Sequence, residues 1–253
     1  MRLLLTGAAG YTGKGLAEVL STRHIVRGLD VVDRPAPVAE MMVGDIADLD
    51  VCRRAVAGVE ALVLCHMAPN PRAYETPPAA YDANVKGTAN LYHAAVEAGI
   101  KRVVMISTTG LLFQDRPDDA RPGDGPYNFN HGRYALTKLM QEVIARHHFE
   151  ADGVATAMLR PAWIVYDGER GPQTPNTAFG GPYVTKYGQK VEKRNGHLID
   201  PRDIGAAVLL ALDLPDLKCE AFNIGQDDFP WDQTATRTRL KWRATYTFDG
   251  LPR

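Results

Sequence analysis

The sequence predicts an α/β protein, a doubly wound and mostly parallel sheet with helices on both faces. Three observations predict it. Strand-like and helix-like stretches alternate through the first two-thirds of the chain. A glycine cluster lies between the first strand and the first helix. No linker or change of composition divides the 253 residues into independent units, so a single domain over 1–253 is expected.

Each element has its own local reason. Arg2 to Thr6 is a short apolar run, and Tyr11 to Ser21 carries Leu16, Val19 and Leu20 at helical spacing. Ile25 to Leu29 and Met41 to Val43 read as strands, Asp48 to Ala57 as a helix, and Ala61 to Cys65 as a buried strand. Tyr81 to Ala98 reads as one long helix closed by Gly99, placed where a left-handed cap is wanted. A strand over Arg102–Ile106, a helix over Tyr134–His148 and a strand over Val154–Leu159 continue the alternation. Tyr166 to Gly196 is rich in Gly and Pro and shows little periodicity, which predicts a surface excursion. Asp200–Leu212 returns to helix, Ala221–Ile224 to strand, and the last thirty residues read as irregular. Residues 162–199 and 224–253 are expected to form a lid or cap on the substrate side.

Composition excludes several classes. Lys plus Arg number 29 and Asp plus Glu 30, so the net charge of -1 removes the electrostatic case for nucleic acid or a membrane surface. No apolar run approaches the roughly 18–20 residues of a membrane span, and strand-like residues begin at Arg2, so no signal peptide is expected ahead of them. Three cysteines without a C-x-x-C pair support neither a disulfide framework nor a zinc site. His147 and His148 point about 100° apart on a helix, so no metal is expected there either. A cytoplasmic location follows as the expectation.

Two constellations carry chemistry. Gly7, Gly10 and Gly13 form G-x-x-G-x-x-G, which lets backbone N–H groups approach a pyrophosphate at the positive end of a helix. Asp30, at the end of the second strand, is placed to accept hydrogen bonds from an adenosine ribose. A triphosphate-binding loop is the rival, since Gly13-Lys14 looks like its end. Ala8 and Gly15 stand where that motif needs Gly and Ser or Thr, and the rival fails. Tyr134 and Lys138 are four apart, with Cβ atoms roughly 5–6 Å apart on a shared helix face. A neighbouring ammonium favours the phenolate and lowers a Tyr pKa from about 10, which makes Tyr134 a usable acid/base. Thr109 lies just past the Arg102–Ile106 strand, at the sheet end where such folds bind ligands.

The chain resembles the extended short-chain dehydrogenase/reductases, the NAD-dependent epimerase/dehydratase family. TGAAGYTG at 6–13, GDIAD at 44–48, NVKGTANL at 84–91, ISTTG at 106–110, YALTK at 134–138, LRP at 159–161 and FNIG at 222–225 occur in family order. The resemblance implies a Rossmann fold in which Gly7, Gly10, Tyr11, Thr12 and Gly13 cradle the dinucleotide and Asp30 takes the ribose. It places Asp45 and Ile46 at the adenine, Thr109 on the substrate oxygen and Asn84 near the site. It makes Tyr134 the proton-exchanging group and has Lys138 bind the nicotinamide ribose. Asp30 favours NAD, while the nearby Asp33-Arg34 leaves NADP open. Members acting on nucleotide-sugars are usually longer. This chain resembles the small uronate and aldose dehydrogenases, down to Leu240-Lys241-Trp242, and a small sugar, sugar acid or other carbonyl or alcohol is the expected substrate. Lys186, Lys190, Lys193 and Arg194 against Glu192 form a local excess suited to a carboxylate, though a solvated face explains it as well. Phe113 stands where many nucleotide-sugar enzymes have Tyr, and Trp163 either walls the nicotinamide pocket or joins the core. The alternatives are a nucleotide-sugar epimerase or dehydratase with transient hydride transfer, and a non-catalytic dinucleotide sensor. A homodimer through helices 81–98 and 131–149 is implied by the resemblance.

Overall fold

The leucines of the first strand set the architecture. In β1 (Arg2–Thr6), Leu3, Leu4 and Leu5 are all fully buried, which requires cover on both faces of the sheet. Leu3 and Leu5 pack with Leu16, Ala17 and Leu20 of α1 (Tyr11–Leu20) and with Ile204, Ala207 and Val208 of α6 (Pro201–Asp213). Leu4 faces the other way, toward Val51 and Cys52 of α2 (Leu49–Val56), Leu91 and Tyr92 of α4 (Gly87–Glu97), and Ala145 of α5 (Gly132–Asp152). The computed structural model describes residues 1–68, 71–111, 132–167, 183–185, 197–246 and 248.

Seven parallel strands form the main sheet. With β2 (Ile25–Asp30), β3 (Glu40–Val43), β4 (Ala61–Leu64), β5 (Arg102–Ile106), β6 (Ala155–Pro161) and β10 (Cys219–Ile224), the order is β10-β6-β5-β4-β1-β2-β3. The order reverses between β1 and β4, and the carboxyl ends of the strands at such a switch point are the crevice where sheets of this kind take ligands. The doubly wound prediction is borne out. Among the described residues no helix is long and apolar enough to cross a membrane.

Three local expectations need correction. The helix expected over 81–98 is broken: α3 (Pro77–Tyr81) is followed by a π turn over Asp82–Lys86, and only then by α4. The cause is tertiary, because the wider π turn turns Asn84 inward, where it is fully buried and bonded on both amide atoms. The stretch from Tyr166 is not wholly irregular. β7 (Trp163–Asp167) pairs antiparallel with β8 (Tyr183–Thr185) and parallel with β9 (Leu198–Ile199) in a second, three-stranded sheet. The last thirty residues contain a short helix, α7 (Thr234–Thr238), and place Trp231, Leu240 and Trp242 in the main core. Asp203 gathers that tail: its carbonyl accepts from Trp242 Nε1 at 3.0 Å, and its carboxylate accepts from the N–H groups of Thr245 and Tyr246. Periodicity could not reveal this, since single aromatic anchors carry no repeat. Phe113 and the Lys186–Arg194 cluster lie outside the described residues.

Candidate active site

The glycine loop closes on itself. Gly7 has φ +68, in the left-handed region, and its N–H donates to the Leu29 carbonyl at 2.8 Å, tying the loop to the end of β2. A Cβ on Gly13 would lie 2.0 Å from the Gly7 carbonyl oxygen, so the first turn of α1 rests directly on the loop backbone. Gly10 caps that helix with no side-chain bond, and the first-turn residues Tyr11 and Thr12 are half-buried. The positive end of α1 therefore faces the crevice without a capping side chain. Asp30 stands beside it: one carboxylate oxygen accepts from Ala9 N–H at 3.0 Å and the other from Val32 N–H at 3.2 Å. A carboxylate has about four acceptor positions, so Asp30 can hold the loop and still accept from a ligand hydroxyl. Asp33 and Arg34 are exposed past the end of β2. Asp45 is exposed and accepts from Ala47 N–H, while the Ile46 side chain is buried against Gly87.

Across the crevice, Lys138 is nearly fully buried, at 3% exposure. Its ammonium donates to the Ile106 carbonyl at 2.9 Å and the His66 carbonyl at 3.3 Å, so α5 is fastened to the ends of β5 and β4. Tyr134, one turn earlier on α5, is half-buried with its ring edge-on to Tyr74. Thr109 is buried, and its hydroxyl donates to the Pro161 carbonyl at 3.2 Å. Its neighbours in the S-T-T run are used differently: Ser107 donates to Glu142 Oε1 at 2.6 Å, and Thr108 Oγ1 accepts from Gly110 N–H. Trp163 is 51% exposed, which removes the reading of it as a core residue. Gly7, Asp30, Thr109 and Lys138 thus meet around the carboxyl ends of the strands.

Several residues went unseen in the sequence. His66, just past β4, is buried with Nδ1 on Thr6 Oγ1 at 2.8 Å and Nε2 on Thr88 Oγ1 at 3.0 Å. Burial, and secondarily the charge of Lys138, pushes its pKa down to about 3. A depressed value means the stability tied to the neutral ring is present above the ordinary 6.5 and is lost as pH falls from there toward 3. Each pH unit in that window costs about 1.4 kcal/mol, since the unfolded ring binds a proton that the native ring refuses. Between pH 6.5 and 5 the wild type is expected to lose about 2 kcal/mol more than His66→Gln in chemical denaturation. Parallel slopes for the two proteins would contradict a neutral buried ring. Tyr74 and the Glu142–Arg160 pair were missed for the same reason: their partners are distant in sequence, and no motif spacing joins them.

A sequence model of the NAD dependent epimerase/dehydratase family matches residues 3–225. The chain belongs to that family. Uronate dehydrogenase of Pseudomonas syringae pv. tomato is 34% identical over 166 residues, which are 63% of this chain and 58% of that protein. Uronate dehydrogenase of Pseudomonas putida is 31% identical over 222 residues, 78% of this chain and 80% of that protein. The match thus spans little more than half of the first relative and most of the second. A solved short-chain dehydrogenase/reductase superfamily protein from Agrobacterium tumefaciens with bound NAD has a TM-score of 0.78 at 24% identity, covering 99% of this chain and 94% of that one. At that identity the likeness is one of fold. The epimerase/dehydratase family fold accounts for the strand order and for the crevice at the β1/β4 switch.

Proposed function

We propose that the chain is an NAD-dependent oxidoreductase acting on a small sugar or sugar acid, with Tyr134 as general acid/base. One observation carries the reading: the Lys138 ammonium, buried between two backbone carbonyls at the mouth of the crevice, one helical turn from the Tyr134 phenol. A fully solvated helix face would hold neither group in place. The crevice suits NAD, because the uncapped α1 terminus and the tight glycine backbone favour a pyrophosphate and Asp30 favours a ribose diol. A carboxylate at Asp30 repels the extra phosphate of NADP, and bound NAD in the solved short-chain dehydrogenase/reductase superfamily protein supports the same choice.

Gly7, Gly10, Tyr11, Thr12 and Gly13 hold the pyrophosphate in this reading, with Asp45 and Ile46 toward the adenine. When bound, NAD supplies the hydride acceptor, or the donor in the reverse direction. Thr109 orients the substrate oxygen by exchanging its bond to the Pro161 carbonyl for one to the ligand. In oxidation Tyr134 takes the hydroxyl proton at its phenolate oxygen, and in reduction it returns that proton. Lys138 holds the nicotinamide ribose and favours the phenolate by its charge. The described part of residues 162–199, where Trp163 is exposed, walls the substrate side; the rest of that stretch lies outside the described residues. The two uronate dehydrogenases support a sugar acid as substrate.

A homodimer through α4 and α5 and a cytoplasmic location complete the proposal. Val143, 61% exposed on α5, supports the first and the free thiols of Cys52, Cys65 and Cys219 the second. The test is a panel of uronates, aldoses and nucleotide-sugars incubated with NAD and followed at about 340 nm, where the reduced nicotinamide absorbs. Stoichiometric reduction with a uronate or aldose is expected. Interconversion of a nucleotide-sugar without net absorbance change would replace this reading with epimerisation.

A further inference from the structure

We propose that Tyr74 is a positioning residue for Tyr134, closing a circuit of contacts that sets the angle of the reacting phenol. The inference rests on the reading of Tyr134 as the proton-exchanging group. The circuit leaves Tyr134 through its backbone and returns through its ring. The Thr137 hydroxyl donates to the Tyr134 carbonyl at 3.0 Å and accepts from Asn84 Nδ2 at 2.9 Å. The same Asn84 amide donates to the Tyr74 hydroxyl at 3.1 Å. The Tyr74 ring then meets the Tyr134 ring at 87°, with centroids 5.4 Å apart.

Both far members of the circuit are anchored from outside it. Asn84 sits in the π turn with no exposure, and its Oδ1 accepts from Ala68 N–H at 2.8 Å. Tyr74 ends a short 3₁₀ turn over Pro71–Tyr74, and Arg133 pins that turn to the start of α5. Arg133 Nη1 donates to the carbonyls of Tyr74 and Glu75 at 2.9 and 2.7 Å. Tyr134 needs such support. It is the third residue of α5, two after the left-handed Gly132, and its side chain turns about two bonds. A ring held edge-to-face keeps one orientation among those the rotamers allow. Misplacing a reacting atom by about 1 Å can cost on the order of 10²-fold in rate.

The experiment compares Tyr74→Leu, Tyr74→Phe, Arg133→Gln and Tyr134→Phe with wild type, using NAD and glucuronate. Tyr74→Leu is expected to lower kcat by about 10- to 100-fold with unchanged NAD affinity. Its solvent deuterium isotope effect on kcat should rise, because a badly aimed phenol slows proton transfer relative to the other steps. Tyr74→Phe keeps the ring and should restore most of the loss. Arg133→Gln, at an exposed side chain, should show the same rise at smaller amplitude, so a poorly folding Tyr74→Leu leaves the question decidable. A merely structural Tyr74 would lower the melting temperature without moving the isotope effect. Wild-type kcat and isotope effect in Tyr74→Leu, or in Arg133→Gln where Tyr74→Leu folds poorly, would overturn the proposal. Turnover retained by Tyr134→Phe, or none by wild type, would instead remove the reading on which it rests.

Discussion

Tyr134→Phe is expected to lower kcat by about 10²- to 10⁴-fold while leaving NAD affinity and stability close to wild type. The substitution removes one oxygen and keeps the ring that packs edge-on against Tyr74. The Lys138 anchors are backbone carbonyls of Ile106 and His66, so they survive the change. What disappears is the hydroxyl proposed to carry the substrate proton. Steady-state rates with a uronate, together with a fluorescence titration of the reduced cofactor, separate turnover from binding. Turnover that survives with normal cofactor binding would leave a dinucleotide-sensing protein as the better description.

The second large effect concerns stability. Arg160 and Glu142 are 1% and 5% exposed, and they pair through Nη2–Oε2 at 2.6 Å and Nε–Oε1 at 3.0 Å. Ser107 adds a third bond to the same carboxylate, so the pair joins β5, β6 and α5 directly beneath the site. Arg160→Met leaves the Glu142 charge buried with its guanidinium partner gone, a change that costs about 3–5 kcal/mol. In a protein of this size that corresponds to a fall of roughly 10 °C in melting temperature. The double variant Arg160→Met/Glu142→Leu should recover much of the loss, since apolar replacement of both charges is often close to neutral. A loss under about 1 kcal/mol in the single variant would mean that water or another cation reaches the carboxylate.

How far the sequence could be read depended on the distance over which each feature is decided. Strand β1 and the glycine loop were legible because the determinants of each lie within ten residues: an apolar run, then glycines where a left-handed turn and a close helix are needed. The same held for Tyr134 and Lys138, which one helical turn brings to a single face. The break in the helix before Gly87 was not legible, because Asn84 turns inward for partners at Ala68 and Thr137 that are remote in the chain. Nor was the burial of Trp242, which depends on a carbonyl at Asp203.

The amino-acid order by itself determined the alternation, the strand faces, the glycine loop and the placing of Tyr134 and Lys138 one helical turn apart, since periodicity and local backbone sterics act over a few residues. Only the tertiary structure decided where the Lys138 ammonium is anchored, that His66 stays neutral beneath it, and that Tyr74 rests against Tyr134. Those outcomes follow from burial and from hydrogen bonds between strands and helices that meet only once the sheet has assembled.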